Sequence, residues 1–316
     1  MAMINKFISF VVPARDEEGS IEPLYSEIAA VMKKAKRSFE IVFVDDGSKD
    51  KTFQKLKEIH KYDRRVKVIK LRGGWGKATA LQAGFNQAVG GIIITMDADL
   101  QDNPKEIPSF ISKVEEGYDL VVGWKKKRHD PISKVVSSRA YNFVSRLVTG
   151  VKLHDVNCGF RAFRREVIEN IHFFYGELFR LIPIIAVKRN FRVAEIPVAH
   201  RARKYGKSKY GFERALKGLL DLLTVAFLTR YTRKPGHFFG LLGFISFAGG
   251  FLIGIYIAYL RFTTGSIQYR YPLLFLGVLL MIMGVQFVST GLLAEMITSF
   301  NQKENFEGDY ISEVLD

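Results

Sequence analysis

The sequence predicts an α/β domain with a mostly parallel sheet, followed by a hairpin of two transmembrane helices. Short apolar stretches that are typical of strands alternate with stretches of helical periodicity in the first part of the chain, as in repeated β-α-β units. Two runs without Asp, Glu, Lys or Arg follow at residues 237–260 and 272–294. Each run is longer than the roughly 20 residues that a helix needs to cross a bilayer. Two buried core helices are the alternative interpretation of these runs.

The predicted strands are short and rich in β-branched or other apolar residues. They are residues 7–12, 41–44, 66–71, 91–96, 120–123 and 192–198. Stretches of helical spacing separate them, at residues 21–32, 52–61, 76–88, 105–116 and 166–170. Ser20 is the predicted N-cap of the first helix, and Asp50 or Ser48 that of the second. Ligands of such sheets bind at the carboxyl ends of the strands, so functional residues are expected there.

The charge is distributed unevenly along the chain. The 316 residues carry a formal charge of +15, from 47 Lys and Arg against 32 Asp and Glu. Residues 1–234 hold +18, residues 235–300 hold +1 and residues 301–316 hold −4. Positive charge is enriched on the cytoplasmic side of membrane helices. We therefore expect a multi-pass protein of the inner (plasma) membrane whose α/β domain and both termini are cytoplasmic.

The chain divides into four predicted segments. Residues 1–200 form the α/β domain, residues 201–234 a basic juxtamembrane segment, residues 235–300 the hairpin and residues 301–316 an acidic tail. The juxtamembrane segment has ten Lys or Arg and an apolar helical face. This pattern predicts an amphipathic helix on an anionic membrane surface, with a helix packed on the domain as the alternative. Small residues in the first span would let two copies pack as a homo-oligomer through their transmembrane helices, and they are Gly249, Gly250 and Gly254.

Composition excludes several classes of protein. With 48% apolar and 25% charged residues, the chain is too apolar to be disordered. The single cysteine, Cys158, excludes an intrachain disulfide and a cysteine-rich zinc module. The protein is therefore expected to fold around an ordinary apolar core.

Acidic residues follow three of the predicted strands. The first strand runs into Arg15 and Glu17, the second ends in Asp45 and Asp46, and the fourth ends in residues 97–102, with sequence DADLQD. Neighbouring strand ends meet at one crevice of a parallel sheet. Carboxylates that lie close together repel each other unless cations or hydrogen-bond donors are present. The sequence therefore predicts a polar binding site at this edge.

The last of these segments has the spacing of a metal site. Side chains two residues apart in an extended segment point the same way, so Asp97 and Asp99 can reach one cation, with Gln101 as a neutral oxygen ligand. Mg²⁺ or Mn²⁺ suits such oxygen ligands. A glycine loop before a helix places Lys77 near a helix N-terminus, where an anion can bind. A packing turn is the alternative for that loop.

Motifs in a fixed order resemble those of a known enzyme family. They are residues 11–17, 44–48, 76–77, 97–102, 157–165 and 206–210. Their order resembles the family 2 inverting glycosyltransferases, and more narrowly the polyprenyl-phosphate glycosyltransferases, which include dolichol-phosphate mannose synthases and bacterial bactoprenol glucosyltransferases. With the two spans, the resemblance covers nearly the whole chain. It implies a GT-A fold, which is a Rossmann-like sheet that binds a nucleotide-diphosphate sugar.

The resemblance also implies a donor site and its cofactor. The residues that would bind the nucleotide sugar are Pro13, Arg15, Glu17, Asp45, Asp46, Lys77 and Asp97. The metal ligands would be Asp97, Asp99 and Gln101, holding Mg²⁺ or Mn²⁺ against the diphosphate. The metal would neutralise the leaving nucleoside diphosphate, which makes Asp99 a catalytic candidate.

The implied acceptor is a polyprenyl phosphate at the membrane. Its phosphate would meet basic and hydroxyl side chains, and the candidates are Arg128, Arg139, Arg201, Arg203, Lys207, Ser208 and Lys209. Asp155 is the candidate general base, although a phosphate monoester is mostly ionised at neutral pH because its second pKa is near 6. Asp155 could instead orient the sugar, or pair with Arg161 or Arg164.

The predicted activity is transfer of a hexose to undecaprenyl phosphate with inversion, with UDP-glucose as the favoured donor. GDP-mannose and UDP-4-amino-arabinose-type donors are the alternatives. A processive synthase would need more spans. A membrane-tethered nucleic-acid-binding protein would suit the basic domain but would not explain the acidic strand ends, so the predicted partners are a nucleotide sugar, a lipid phosphate and the membrane, without nucleic acid.

Overall fold

The computed structural model describes residues 7–126, 132–171, 178–201, 235–267 and 269–304. The chain forms two compact units, Met1–Ala226 and Phe227–Asp316. The first unit contains a seven-stranded sheet, and the second contains two long apolar helices.

The sheet is mixed, with one strand reversed. Its strands are β1 (Ile8–Ala14), β2 (Phe39–Asp45), β3 (Val66–Lys70), β4 (Ile92–Thr95), β5 (Leu120–Trp124), β6 (Arg161–Arg164) and β7 (Val193–Pro197). Their order across the sheet is β3-β2-β1-β4-β6-β5-β7. Strand β6 runs antiparallel to both β4 and β5, and the other pairs are parallel.

Helices connect these strands and cover the sheet. They are α1 (Ile21–Ala35), α2 (Thr52–Tyr62), α3 (Lys77–Gln87), α4 (Ile107–Glu115), α5 (Ile132–Thr149), α6 (Arg165–Asn170) and α7 (Ile182–Lys188). Two 3₁₀ turns, Pro104–Glu106 and Leu178–Leu181, precede α4 and α7. Apolar residues of the central strands and of the covering helices form one large core.

The structure confirms the predicted α/β alternation. All six predicted strands and all five predicted helices are present in the described residues. Three elements were not predicted, namely β6, α5 and α7. Strand β6 is only four residues long and has Arg at both ends, so it lacks the apolar run of the other strands. The prediction of a mostly parallel sheet is confirmed, with β6 as the one antiparallel strand among the described residues.

Close packing of α3 against the sheet sets the position of its first residue. Gly84 lies against Val11 of β1 and Val44 of β2, and a Cβ at this position would overlap the Val11 side chain. The absence of a side chain lets the helix lie directly on the two strands. Helix α3 thus begins at the carboxyl edge of the sheet, where the functional residues were expected.

The second unit is an antiparallel pair of helices, α8 (Pro235–Thr264) and α9 (Tyr271–Glu304). Both are long and apolar enough to cross a membrane, and most of their side chains point away from the unit. The two predicted spans, 237–260 and 272–294, lie within them. The alternative of two buried core helices is therefore wrong, because their apolar surface is exposed.

Glycines line the contact between α8 and α9. They recur every seven residues in each helix and face one another in three pairs, which are Gly236 with Gly291, Gly243 with Gly284 and Gly250 with Gly277. A Cβ built on Gly243 would lie 2.7 Å from the carbonyl oxygen of Gly284. The two backbones therefore touch, as in close-packed membrane helices. We call these six residues the glycine seam.

Candidate active site

The three acidic segments lie together at one edge of the sheet. Strand β1 lies between β2 and β4, so the carboxyl ends of these three strands are neighbours. The backbone N–H of Asp46 donates to Ala14 (2.9 Å), and that of Met96 donates to Val11 (3.4 Å). These bonds join the ends of the strands, as the sequence predicted.

Hydrogen bonds fix the loop after β1 to the start of α2. Asp16 has a φ of +50° and donates its N–H to Ser48 Oγ (2.9 Å), and Glu17 donates its N–H to Thr52 Oγ1 (2.8 Å). Asp50 accepts from Thr52 N (2.9 Å), but Lys51 occupies the N-cap position of α2, so the prediction of Asp50 or Ser48 as the N-cap is wrong. Ser20 stands at the N-cap position of α1, but its hydroxyl donates to Glu17 (3.0 Å) instead of capping the helix. Ser20 is therefore the N-cap residue as predicted, although its side chain makes no capping hydrogen bond.

The two aspartates at the end of β2 have different surroundings. Asp46 accepts hydrogen bonds from the backbone N–H groups of Trp75 (2.7 Å) and Gly76 (3.0 Å), and Arg15 Nη1 lies 3.8 Å from its carboxylate. Asp46 therefore holds the glycine loop in place. Asp45 is fully buried and accepts from Ser48 N (3.3 Å) through Oδ1. Among the described residues its Oδ2 has no hydrogen-bond partner, so this oxygen can accept a bond from a ligand.

Lys77 and Asp97 form an ion pair at the start of α3. Gly76, with a φ of +93°, precedes the helix, and Lys77 is its first residue. The Lys77 ammonium contacts Asp97 Oδ1, and it also lies 5.5 Å from the centre of the Phe179 ring. Burial raises the pKa of Asp97, but Lys77, Lys125 and Arg161 outweigh it, so this pKa lies below its ordinary value. Asp97 is therefore charged at neutral pH.

A second lysine neutralises the same acidic segment. Lys125 Nζ lies 3.2 Å from Asp102 Oδ1, and both side chains are largely buried. Burial lowers the pKa of Lys125, but the negative charge of Asp102 and other nearby acids raises it above its ordinary value. Asp102 also accepts from Asp97 N (3.4 Å), and Asp99 accepts from Gln101 N (3.1 Å). Residues 97–102 therefore form a tight turn stabilised by carboxylates and lysines.

The donor set of this turn suits a divalent cation that shares its ligands with a substrate. Asp97 and Asp99 supply anionic oxygens, and Gln101 is partly exposed beside them. No group of three or more His, Cys, Asp and Glu side chains within the described ranges is arranged to hold a metal. Mg²⁺ commonly takes only one or two protein carboxylates and completes its shell with phosphate and water. Two carboxylates and an amide fit that chemistry.

The segment between α5 and β6 brings further residues to this edge. Thr95 Oγ1 donates to the carbonyl oxygen of Gly159 (2.8 Å), which places Gly159 beside the end of β4. A Cβ on Gly159 would lie 3.0 Å from Asp97 Oδ2 and 3.1 Å from Lys77 Nζ. Gly159 therefore leaves space for the ion pair. The sequence had marked residues 157–165 only through the family resemblance.

Asp155 is held in this segment by Glu195. Asp155 is 1% exposed, and its Oδ1 accepts from Asn157 N (3.2 Å). The Glu195 carboxylate on β7 accepts from Asp155 N (3.0 Å) and His154 N (2.8 Å), and His154 Nδ1 lies 2.9 Å from it. The His154 ring stacks on Trp124 at 4.3 Å. Sequence reasoning missed Glu195, because a single acid in an edge strand carries no motif.

Arg161 has a structural function. Its buried guanidinium donates to the carbonyl oxygens of Val156, Cys158, Phe179 and Arg180, at 2.7–3.1 Å. Burial lowers the pKa of Arg161 to about 10, which leaves it charged at neutral pH. Arg164 pairs instead with Asp119 (3.0 Å), so the predicted pairing of Asp155 with Arg164 is wrong. Burial raises the pKa of Cys158 to about 12, so its thiol is neutral.

Most predicted acceptor ligands lie outside the described residues. They are Arg128, Arg203, Lys207, Ser208 and Lys209, together with the side chain of Arg139 in α5. Arg201 is described, and its guanidinium pairs with Glu27 of α1 (2.8 Å) and donates to Asn103 (2.6 Å). These contacts hold Arg201 beside α1 in the described structure, and its phosphate-binding role stays a prediction. Pro13 lies in β1 opposite Val44, the residue before Asp45 in β2.

Comparisons with known proteins show to which family the chain belongs. The sequence model of the family described as "Glycosyl transferase family 2" matches residues 9–172. The chain is 39% identical to dodecaprenyl-phosphate galacturonate synthase of Rhizobium johnstonii, over 96% of this chain and 91% of that protein. It is 36% identical to undecaprenyl-phosphate 4-deoxy-4-formamido-L-arabinose transferase of Proteus mirabilis, over 93% and 89% of the two chains.

Solved structures show the same fold. Glucosyl-3-phosphoglycerate synthase of Mycobacterium tuberculosis, in complex with Mn²⁺, UDP and phosphoglyceric acid, matches with a TM-score of 0.55 and 20% sequence identity. The match covers 70% of this chain and 78% of that one. The catalytic domain therefore has the GT-A fold that the resemblance implied. The chain belongs to glycosyl transferase family 2, and it is a glycosyltransferase.

Proposed function

We propose that this glycosyltransferase moves a sugar from a nucleoside diphosphate sugar to a polyprenyl phosphate, with inversion at the anomeric carbon. The observation that carries the proposal is the similarity, over more than nine tenths of this chain, to two enzymes whose names specify a polyprenyl-phosphate product or acceptor. Two helices able to cross a membrane support it, because the acceptor is a lipid.

The donor nucleotide is proposed to bind where the ends of β1, β2 and β4 meet. Asp45 Oδ2 is a buried acceptor without a partner among the described residues, which suits a base N–H or a ribose hydroxyl. Arg15 and Lys77 lie on either side of the glycine loop and supply positive charge for the diphosphate. Asp46 then acts indirectly, because it holds that loop by two backbone N–H groups.

Mg²⁺ or Mn²⁺ is the proposed cofactor, held by Asp97, Asp99 and Gln101. Bound there, the cation supplies charge that neutralises the leaving nucleoside diphosphate. Asp97 is suited to this role because its lowered pKa keeps the carboxylate ionised. The backbone N–H of Gln101 donates to Asp99 Oδ1, which fixes the direction of that carboxylate.

The acceptor phosphate is proposed to attack as an anion. Because its second pKa is near 6, it is mostly ionised at neutral pH and needs little help from a base. Asp155 is almost fully buried in the described structure, where backbone contacts fix its position. We therefore assign Asp155 to the sugar, with its position set by neighbouring backbone contacts.

Helix α5 exposes apolar side chains that could contact a membrane surface. Phe143 and Leu147 lie one turn apart and are 61% and 75% exposed, and Arg146 is exposed beside them. Polar residues on the inward face are buried instead, and they are Asn142, Ser145 and Thr149. The helix contains basic residues and no acid. An apolar outer face with positive charge favours contact with an anionic membrane surface.

The transferred sugar is proposed to be of the galacturonate or 4-amino-arabinose type. The expected UDP-glucose has no support among the two relatives described, whose names specify galacturonate and 4-deoxy-4-formamido-L-arabinose. We retain the inner membrane as the location, with the catalytic domain and both termini in the cytoplasm. Protease accessibility of the domain in sealed inside-out vesicles, and protection in right-side-out ones, tests this orientation.

The test of the proposed function is a direct transfer assay. Membranes containing the chain are incubated with undecaprenyl phosphate and, separately, labelled UDP-galacturonate, UDP-4-formamido-arabinose, UDP-glucose or GDP-mannose, and the lipid is extracted. We expect label in lipid with one of the first two donors, and loss of that label in Asp99→Ala. Wild-type membranes that label no lipid with any donor would contradict the proposal, as would a product with the anomeric configuration of the donor.

A further inference from the structure

We infer that Lys77 and a divalent cation compete for the Asp97 carboxylate, so that cation binding releases Lys77 to the donor diphosphate. This inference rests on the metal and donor assignments proposed above. It adds an order of binding events to those assignments. Lys77 first pairs with the Asp97 carboxylate and then, after the cation has bound, with the donor diphosphate.

The ion pair between Lys77 and Asp97 is partly buried but accessible to solvent. The Lys77 side chain is 23% exposed and the Asp97 side chain 35%, so a small ion can reach the contact from solvent. Gly159 lies on the other side, where a Cβ would come within 3.1 Å of both the ammonium nitrogen and the carboxylate. The structure thus keeps a defined space for one positive group on Asp97.

A divalent cation needs the same carboxylate. Asp97 is the first acid of the Asp-x-Asp segment, and Lys77 contacts its Oδ1 directly. A hard cation binds carboxylate oxygens at short distance. An ammonium and a divalent cation on one carboxylate would also repel each other in a partly buried site. Binding of the cation therefore requires Lys77 to move away.

The released ammonium stays where an anion is expected. Lys77 is the first residue of the 11-residue helix α3, and the N-terminal N–H groups of a helix attract phosphate. The side chain can therefore turn from Asp97 to the diphosphate without a change in the backbone. Cation and nucleotide should then strengthen each other's binding, since such coupling is reciprocal.

The experiment measures Mn²⁺ binding to the full chain in detergent by electron paramagnetic resonance, without nucleotide. Lys77→Met removes the competing charge and keeps most of the side-chain stem. We expect Mn²⁺ to bind more tightly by roughly tenfold to a hundredfold, the equilibrium factor of a hydrogen bond to a charged group. Lys77→Arg keeps the charge and should not show this gain. Lys105→Met, at an exposed position, is the matched control.

A second measurement uses the wild-type chain and does not depend on a variant. Reductive methylation of Lys77, followed by mass spectrometry, should speed up when Mn²⁺ is added and slow down when UDP is added to the Mn²⁺-loaded chain. The inference would be overturned if wild type and Lys77→Met bound Mn²⁺ with equal affinity. It would also be overturned if the rate of Lys77 methylation did not change when Mn²⁺ was added.

The outcomes separate this inference from the proposed function. If Mn²⁺ binds and Lys77→Met shows the gain, but no sugar reaches lipid, the inference stands and the acceptor assignment fails. If lipid is labelled in the presence of EDTA and no variant binds Mn²⁺, the transfer stands and both the metal assignment and the inference fail.

Discussion

The Glu195 carboxylate accepts hydrogen bonds from the backbone N–H of Asp155 at 3.0 Å and of His154 at 2.8 Å. It thereby ties β7 to the segment that carries Asp155. The other end of this segment is fixed by Arg161, which binds the carbonyl oxygens of Val156 and Cys158. Asp155 is therefore positioned by the backbone on both sides.

Replacing Glu195 should impair turnover more than donor binding. In Glu195→Gln the remaining carbonyl oxygen can still accept the N–H of Asp155. The NH₂ group that replaces the other oxygen loses its contacts with His154, so the segment that carries Asp155 is held less firmly. We expect kcat of sugar transfer to fall by about tenfold to a hundredfold, since misplacement of a positioned group by about 1 Å has effects of that size. The KM for the nucleotide sugar should change little, because the Asp45 and Asp97 sites are untouched.

A double-mutant cycle checks that Glu195 acts through Asp155. The effects of Glu195→Gln and Asp155→Asn should not add if the two residues act as a unit. Glu58→Gln, an exposed acid on α2, is the control and should behave like wild type. Fully additive effects on kcat would show that Glu195 has another role.

Acid should weaken the fold through Asp63. Hydrogen bonds from Arg65, and from Tyr25 as well, hold the pKa of Asp63 at about 2 in place of 3.8. Because the folded-state pKa is depressed, this contribution of about 2 kcal/mol is fully present above the unfolded pKa and is lost as the pH falls toward 2. Thermal unfolding of wild type and Asp63→Asn in detergent should differ most above pH 5 and converge near pH 2. A difference that is independent of pH would contradict this assignment.

The outer face of α5 should matter only for lipid-embedded acceptors. In Phe143→Ser with Leu147→Ser, the apolar contact with the membrane surface is lost, so the KM for undecaprenyl phosphate in anionic vesicles should rise several-fold. A short-chain acceptor in solution needs no such contact and serves as the control. Equal changes for the two acceptors would indicate that α5 packs on protein instead.

Two adjacent glycines of α8 should respond differently to a large side chain. Gly250 belongs to the glycine seam, whereas an added Cβ at Gly249 meets nothing within 4 Å among the described residues. Gly250→Leu should therefore separate the helices and lower the thermal stability of the chain in detergent by several degrees, and Gly249→Leu should not. If a homo-oligomer forms through the transmembrane helices as predicted, Gly249→Leu is the variant that would weaken it, as measured by light scattering. A similar loss of thermal stability in both variants would contradict the assignment of Gly250 to a close helix contact.

Much of the fold and of the donor site could be predicted from the sequence, because both depend on local patterns. Alternating apolar and helical stretches specified the β-α-β order, and the acids at residues 45–46 and 97–102 marked the functional edge. The contacts that each acid makes in the folded chain could not be predicted. Asp45 and Asp46 are neighbours in the sequence, yet their contacts differ. Within the described part of the chain, Asp45 keeps one oxygen without a partner, whereas Asp46 binds the glycine loop, which comes from a distant part of the sequence.

The acceptor side of the site was harder to predict because β6 is reversed. In a parallel sheet, functional residues follow the strands, and the search for acids after strands rests on this rule. Residues that precede an antiparallel strand reach the same edge, so Asp155 and Gly159 arrive there before β6 begins. No local pattern reveals the direction of a four-residue strand. Glu195 was missed because a single acid in the edge strand β7 carries no motif.

The glycine seam also limits what the hairpin can do. Where two backbones lie in direct contact, the space between the helices is filled, and bulky side chains such as Phe244, Leu252 and Phe275 project outward. Such a pair anchors a protein but encloses no passage for a sugar head group. A glycolipid made on one leaflet would therefore need a route to the opposite leaflet other than the space within one hairpin.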